Sequence, residues 1–256
     1  MQHLTILTGA SRGMGFAMAE QLLQSGHTLL CISRKSSPAL SEQAAMNAHA
    51  SVEQWALNLS DGAAVSRQLS KWLEAKAGGQ FASATLINNA AALPKISSLA
   101  DADFDNIAQV LRVSLEAPMQ LTAAFLHATR GWSGERKVLN ISSGNGRRAM
   151  ASQSIYSAAK AGMDHFTRCV ALEEAARTGD QKGAKVCSLA PGIIDTDMQT
   201  FLRNTDPADF PSHATFVSFK QNGELLSPEA AAKRVLDYLA RADFGVNPVG
   251  DVRDPL

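Results

Sequence analysis

A chain of 256 residues, 45% hydrophobic and 19% charged, is long enough to bury one sizeable α/β core. Its 24 basic residues equal its 24 acidic ones, which argues against nucleic acid or an anionic membrane as partner. No apolar run approaches the ~20 residues that span a bilayer, and Met1-Gln2-His3-Leu4 lacks the basic start and long apolar stretch of a signal peptide.

In chain order, Leu4–Thr8, Thr28–Ser33, Ser51–Leu57, Ala84–Asn88, Lys137–Ile141 and Lys185–Leu189 read as short apolar strands. Their low flanking polarity fits parallel strands covered on both faces. Between them, Gly15–Ser25, Asp61–Ala77, Asp103–Thr129 and Ser154–Thr178 carry apolar residues at helical spacing. Ser227-Pro228-Glu229 reads as an N-cap with Pro in the first turn, opening a helix to about Arg241. Such alternation predicts right-handed βαβ units and an α/β doubly wound Rossmann sheet in one domain, 1–256. Residues 197–226 break the rhythm with two prolines and scattered aromatics. They read as an insertion covering a site or, equally, as helices packed outside the sheet. Gly245–Leu256 is expected to supply a final strand.

Directly after the first strand, Thr8-Gly9-Ala10-Ser11-Arg12-Gly13-Met14-Gly15 runs into a helix. A glycine turn at that place lets the backbone approach a pyrophosphate, whose charge the helix N-terminal amides hold. The second strand ends Cys31-Ile32-Ser33-Arg34-Lys35, without the acid that would bond a ribose 2′-hydroxyl in an NAD site. Arg34 can bind a 2′-phosphate, and Arg12 could add a second cation, so NADP(H) is favoured over NAD. The bland alternative makes Arg34 and Lys35 solvated loop charges and leaves the missing acid unexplained.

Tyr156 and Lys160 stand four residues apart near a helix start, which puts both on one face. A fixed ammonium would lower the phenol's pKa toward working pH, suiting Tyr156 to general-acid catalysis on a carbonyl oxygen. Alone, the pair is a common coincidence. Ser143, thirteen residues upstream, closes a strand where open α/β sheets build their sites, and its hydroxyl could meet the same carbonyl.

Taken together, Thr8–Gly15, Asn88-Asn89-Ala90, Ser143, Tyr156/Lys160 and Pro191-Gly192-Ile193-Ile194-Asp195-Thr196 resemble the short-chain dehydrogenase/reductase family over nearly the whole chain. The resemblance implies a seven-stranded parallel sheet with helices on both faces. It implies that Gly9, Ser11, Arg12, Gly13 and Met14 line the pyrophosphate and ribose of NADP(H), that Asn58 and Leu59 hold the adenine, and that Asn89 holds its ribose. Ile194 and Thr196 would hold the nicotinamide carboxamide, and Lys160, with Tyr156 beside it, the nicotinamide ribose. Ser143 would position the substrate while Tyr156 gives its proton.

Further segments, among them Asn140–Gly144, Asp195–Gln199 and Gly223–Glu229, are similar to the sepiapterin reductase-like branch and its bacterial benzil reductases. These imply reduction of a ketone or vicinal diketone, benzil-like or on a pteridine side chain. One departure is Ser114 in Val113-Ser114-Leu115, where the family often has an Asn that helps hold a water linking the lysine to solvent. A catalytically weak NADP(H)-binding sensor is the alternative it raises.

The resemblance also implies a homodimer or homotetramer built through 103–129 and 154–178. Cys31, Cys169 and Cys187 are odd in number and set among apolar residues, so buried thiols of a cytoplasmic protein are expected. The six histidines show no metal-ligand spacing, and no metal site is expected. Asp195 and Asp197 read as turn or cap residues, and Trp55, Trp72 and Trp132 as core.

Overall fold

The computed structural model describes residues 2–177 and 182–254. Seven strands, β1 Gln2–Thr8, β2 Thr28–Ser33, β3 Ser51–Ala56, β4 Phe81–Asn88, β5 Glu135–Ile141, β6 Lys185–Ala190 and β7 Val249–Asp251, form one sheet in the order β3-β2-β1-β4-β5-β6-β7. Every neighbouring pair is parallel. The last five residues of the central strand β1 are all buried, whereas the edge strand β3 has no fully buried residue. That contrast is what helices on both faces of a sheet impose.

One face packs against α1 (Gly13–Gln24) and α9 (Pro228–Ala240), where Met18, Leu23, Val235 and Phe244 close over Leu7 and Ile87. The other face packs against α3 (Gly62–Glu74) and α5 (Ala117–Ala128), with Leu69, Leu121 and Phe125 over Leu4 and Ile6. Side chains as fully buried as Phe125 and Leu23 contribute about 1.5–3 kcal/mol each. Between β1 and β4 the winding reverses, so their carboxyl ends diverge and leave a crevice.

One expectation changes, at Cys169, and two are refined. The Asp103–Thr129 pattern is α4 (Phe104–Leu111) and α5 joined by a π-turn, Arg112–Glu116. The wider turn carries Ser114 fully inside, where its hydroxyl accepts from the Ala92 amide at 3.0 Å and donates to the Ala92 carbonyl at 3.3 Å. Ser114 thus pins the helix to the loop after β4. Residues 197–226 hold α7 (Asp197–Arg203) and α8 (His213–Gln221), packed over a small core of Ile96, Leu202, Phe210 and Phe216. Cys31 and Cys187 are buried, but Cys169 is exposed, because it lies on the outer side of α6 (Ser154–Ala175). The expected helix end at Thr178 lies outside the described residues, as do Pro255 and Leu256 of the expected last strand, which is β7. Among the described residues, no helix is long and apolar enough to cross a membrane, and no cluster of side chains has metal-binding geometry.

Candidate active site

Beyond the carboxyl ends of the strands lies a cleft of about 1350 Å³, and all fourteen site residues expected from the sequence line it. At one end is the loop after β1. Gly9 (φ +72°) and Gly13 (φ +56°) have left-handed backbones that glycine alone adopts without cost. A side chain on Gly15 would meet the Gly9 carbonyl at 2.1 Å. The loop is tied to β2 by bonds from the Gly9 amide to the Ile32 carbonyl (2.9 Å) and from the Ala10 amide to Ser33 Oγ (2.8 Å). No side chain caps α1, so its first amides remain able to receive an anion.

Asn89 braces this loop, its Nδ2 donating to the carbonyls of Thr8 (3.0 Å) and Gly9 (3.2 Å). Asn58 accepts from the Ser60 amide and hydroxyl, and so shapes the turn that carries Leu59. Arg34, exposed at the end of β2, pairs with no carboxylate among the described residues. Arg12 lines the cleft and also makes an ion pair. Its Nη1 lies 2.5 Å from Asp197 Oδ2, so it reaches across the cleft mouth to the first turn of α7. Both side chains are mostly exposed, so this pair is weak and exchangeable with a phosphate.

At the other end, Ser143 follows β5 with an extended backbone, and its Oγ accepts from the Asn145 amide at 3.2 Å. Tyr156 lies in the first turn of α6 and lines the same cleft as Ser143. Lys160 is 1% exposed, its Nζ donates to the Ile141 carbonyl at 2.7 Å, and it stands 5.6 Å from the Tyr156 ring centroid. Burial dominates both titrations. It pushes the Tyr156 phenol up to about 12 against the opposing influence of Ser143. It pulls the Lys160 ammonium down to about 8 against the opposing charge of Asp164. Burial sets the direction for Tyr156 in this structure.

Several supporting contacts escaped the sequence reading. Asn88 Nδ2 donates to Asn140 Oδ1 at 2.8 Å, and Asn140 Nδ2 to Thr167 Oγ1 at 2.9 Å, a buried chain locking β4, β5 and α6 together. Asn145 donates to Gln153 at 2.6 Å, fixing the turn between Ser143 and α6. Asp164 accepts from Ser142 and from Ser188. Its signal was present, since an acid one turn beyond Lys160 shares its helical face.

Asp195 proves to be an ion-pair hub, with Lys220 Nζ at 2.5 Å and Arg203 Nη2 at 3.5 Å, and Asp197 opens α7. His213 packs its ring nitrogen on the Arg203 carbonyl, and the half-buried Trp55 and Trp72 both donate to Glu53.

The model of the short chain dehydrogenase family matches residues 3–207. Benzil reductase ((S)-benzoin forming) of Bacillus cereus is 33% identical over 248 residues, covering 96% of each chain. Sepiapterin reductase of Xenopus tropicalis is 32% identical over 249 residues, covering 92% of this chain and 90% of its own. A solved structure from Agrobacterium tumefaciens with bound NADP superposes with a TM-score of 0.78 at 25% identity, covering 98% of this chain and 94% of that one. With a family model matched over most of its length, full-length relatives and this sheet order, the chain belongs to the short-chain dehydrogenases.

Proposed function

We propose that the protein is an NADPH-dependent reductase of ketones or vicinal diketones, with Tyr156 as proton donor. The observation that carries this reading is the convergence of Ser143, Tyr156 and Lys160 on the cleft that the glycine loop also lines. The residues fit a dinucleotide: a side chain at Gly15 would fill the cradle, no side chain caps α1, and Arg34 offers at the end of β2 a guanidinium with no carboxylate partner among the described residues. Gly9, Ser11, Gly13 and Met14 would hold the pyrophosphate, and Arg34 the 2′-phosphate. Asn58 and Leu59 would hold the adenine, and Asn89 its ribose through the loop it braces. Ile194 and Thr196 would face the nicotinamide carboxamide. When bound, NADPH supplies the hydride.

The chain's own residues do the rest. Ser143 orients the carbonyl, Tyr156 keeps its proton through the neutral range and gives it to the carbonyl oxygen, and Lys160 stabilises the phenolate left behind. Met150, Met198, Phe201, Phe216 and Phe219 also line the cleft, supporting an apolar, aromatic substrate. The benzil and sepiapterin reductases among the relatives support the same substrate class.

Exposed apolar side chains on α4 (Phe104), α5 (Met119) and α6 (Leu172) support self-association through these helices, as a dimer or tetramer. The free cysteines fit the reducing cytoplasm. The test is to follow NADPH consumption, with NADH beside it, over a panel of benzil, other diketones, ketones and aldehydes. Turnover favouring NADPH is expected. Tight NADPH binding with no carbonyl reduced would replace this reading with that of an NADP(H) sensor.

A further inference from the structure

Asp164 is 2% exposed, and both of its hydrogen bonds converge on one oxygen. Ser142 Oγ and Ser188 Oγ each donate to Oδ1 at 2.6 Å. Oδ2 is buried without any partner, facing Gly146, where an added Cβ would lie 2.8 Å from it. A carboxylate held this way costs stability that an apolar residue would not, since one oxygen is desolvated and unpaired. Structural duty alone does not explain it.

Its position suggests what does. Lys160 lies one turn earlier on the same face of α6, with its ammonium donating to Ile141, the residue before Ser142. Asp164 is therefore bonded to the residue between Lys160's carbonyl partner and Ser143. We propose that Asp164 is a positioning residue: the buried counter-charge that keeps Lys160 an ammonium and anchors the strand end bearing Ser143. The proposal rests on the catalytic reading of Lys160 given above.

Burial alone would drive the lysine toward its neutral form, and Asp164 is the charged group that opposes this. Tyr156 is the other titratable group beside it on α6. The elements packed on α6 carry Lys185, Cys187, Asp105, Arg112, Glu116 and Asp251, and none of them bears on Lys160 by charge as Asp164 does. Removing the carboxylate must move the lysine's titration downward in pH.

The experiment is a pH titration of lysine side-chain carbons by NMR on ¹³C-lysine protein, with Lys160 assigned as the signal missing from Lys160→Arg. Asp164→Asn is expected to lower the Lys160 midpoint by about one pH unit or more. Ser188→Ala, which removes one hydroxyl bond and keeps the carboxylate, is expected to leave it nearly unmoved. In benzil reduction with NADPH, the alkaline limb of kcat should shift the same way in Asp164→Asn. An unchanged midpoint in Asp164→Asn would overturn the proposal. So would a parent protein whose Lys160 is already neutral at pH 7, a result available even if Asp164→Asn fails to fold. A parent that reduces no carbonyl defeats the catalytic reading instead, and the NMR arm still decides the role of Asp164.

Discussion

Tyr156 and Lys160 lie within one turn of each other, yet burial moves their titrations in opposite directions. Each shift follows from withholding water from the charged form: phenolate for tyrosine, ammonium for lysine. The consequence for pH has a definite sign. Tyr156, held up to about 12, stays a proton donor, while Lys160, held down to about 8, loses its charge as pH rises through that value. Carbonyl reduction should therefore fall above about pH 8, measured as kcat/KM against pH, and a profile flat well beyond that point would contradict the assignment. Arg34 makes the other residue-scale prediction. Losing a charge-assisted phosphate contact costs about 1.5–3 kcal/mol, so Arg34→Glu should weaken NADPH binding roughly tenfold to a hundredfold and leave NADH nearly unaffected. Fluorescence titration of both cofactors measures this, and equal weakening of the two would show that Arg34 does not read the 2′-phosphate. The glycine turn, Ser143, Tyr156 and Lys160 were legible because their chemistry depends on local order along the chain. Asp164 and the Asn88–Asn140–Thr167 chain were not, because each is defined by partners on other elements.

At the scale of elements, sequence reading worked where hydrophobic period and burial agree. The strand cores of β1, β2, β5 and β6 are nearly all buried and read as apolar runs. At 103–129 the expected helical stretch is present, but its π-turn was not foreseen, because one wide turn leaves the segment helical throughout. The segment 197–226 resisted because its two short helices take their apolar partners from elsewhere, Ile96 and Met150 among them. That small core is a distinct load on stability. Phe210 is fully buried in it, so Phe210→Ala should cost about 3–5 kcal/mol locally. The expected outcome is faster hydrogen exchange in α7 and α8 and a raised KM; unchanged exchange would mean that the cluster does not hold these helices. At the β1–β2 pair, His27 lies beside Thr5 and 5.2 Å from the His3 ring, and burial with that neighbour lowers its pKa to about 4. The unfolded chain takes up this proton near pH 6.5, so the contribution of neutral His27 is complete above 6.5 and is lost as pH falls toward 4. Thermal melts across that window should show a drop that His27→Gln diminishes.

For the whole molecule, the order of strands and helices in the chain determined the architecture, since βαβ units are right-handed and place ligands at the reversal between β1 and β4. Assembly is set instead by surface shape, which no periodicity records; Phe104 on α4 and Leu172 on α6 came into view as exposed apolar side chains only in the folded chain. If they lie in a subunit interface, Leu172→Glu should shift the mass seen by light scattering toward the monomer, and a parent that is already monomeric would dismiss the interface. In the proposed function, one cleft would bring a hydride carrier, a protonated tyrosine and a carbonyl together. The decisive measurement is NADPH-dependent reduction of benzil by the parent protein and by Tyr156→Phe, with NADPH affinity determined for both. Turnover by the parent is expected, with a loss of about 10²-fold or more in Tyr156→Phe at little-changed NADPH affinity. Full activity in Tyr156→Phe would contradict it.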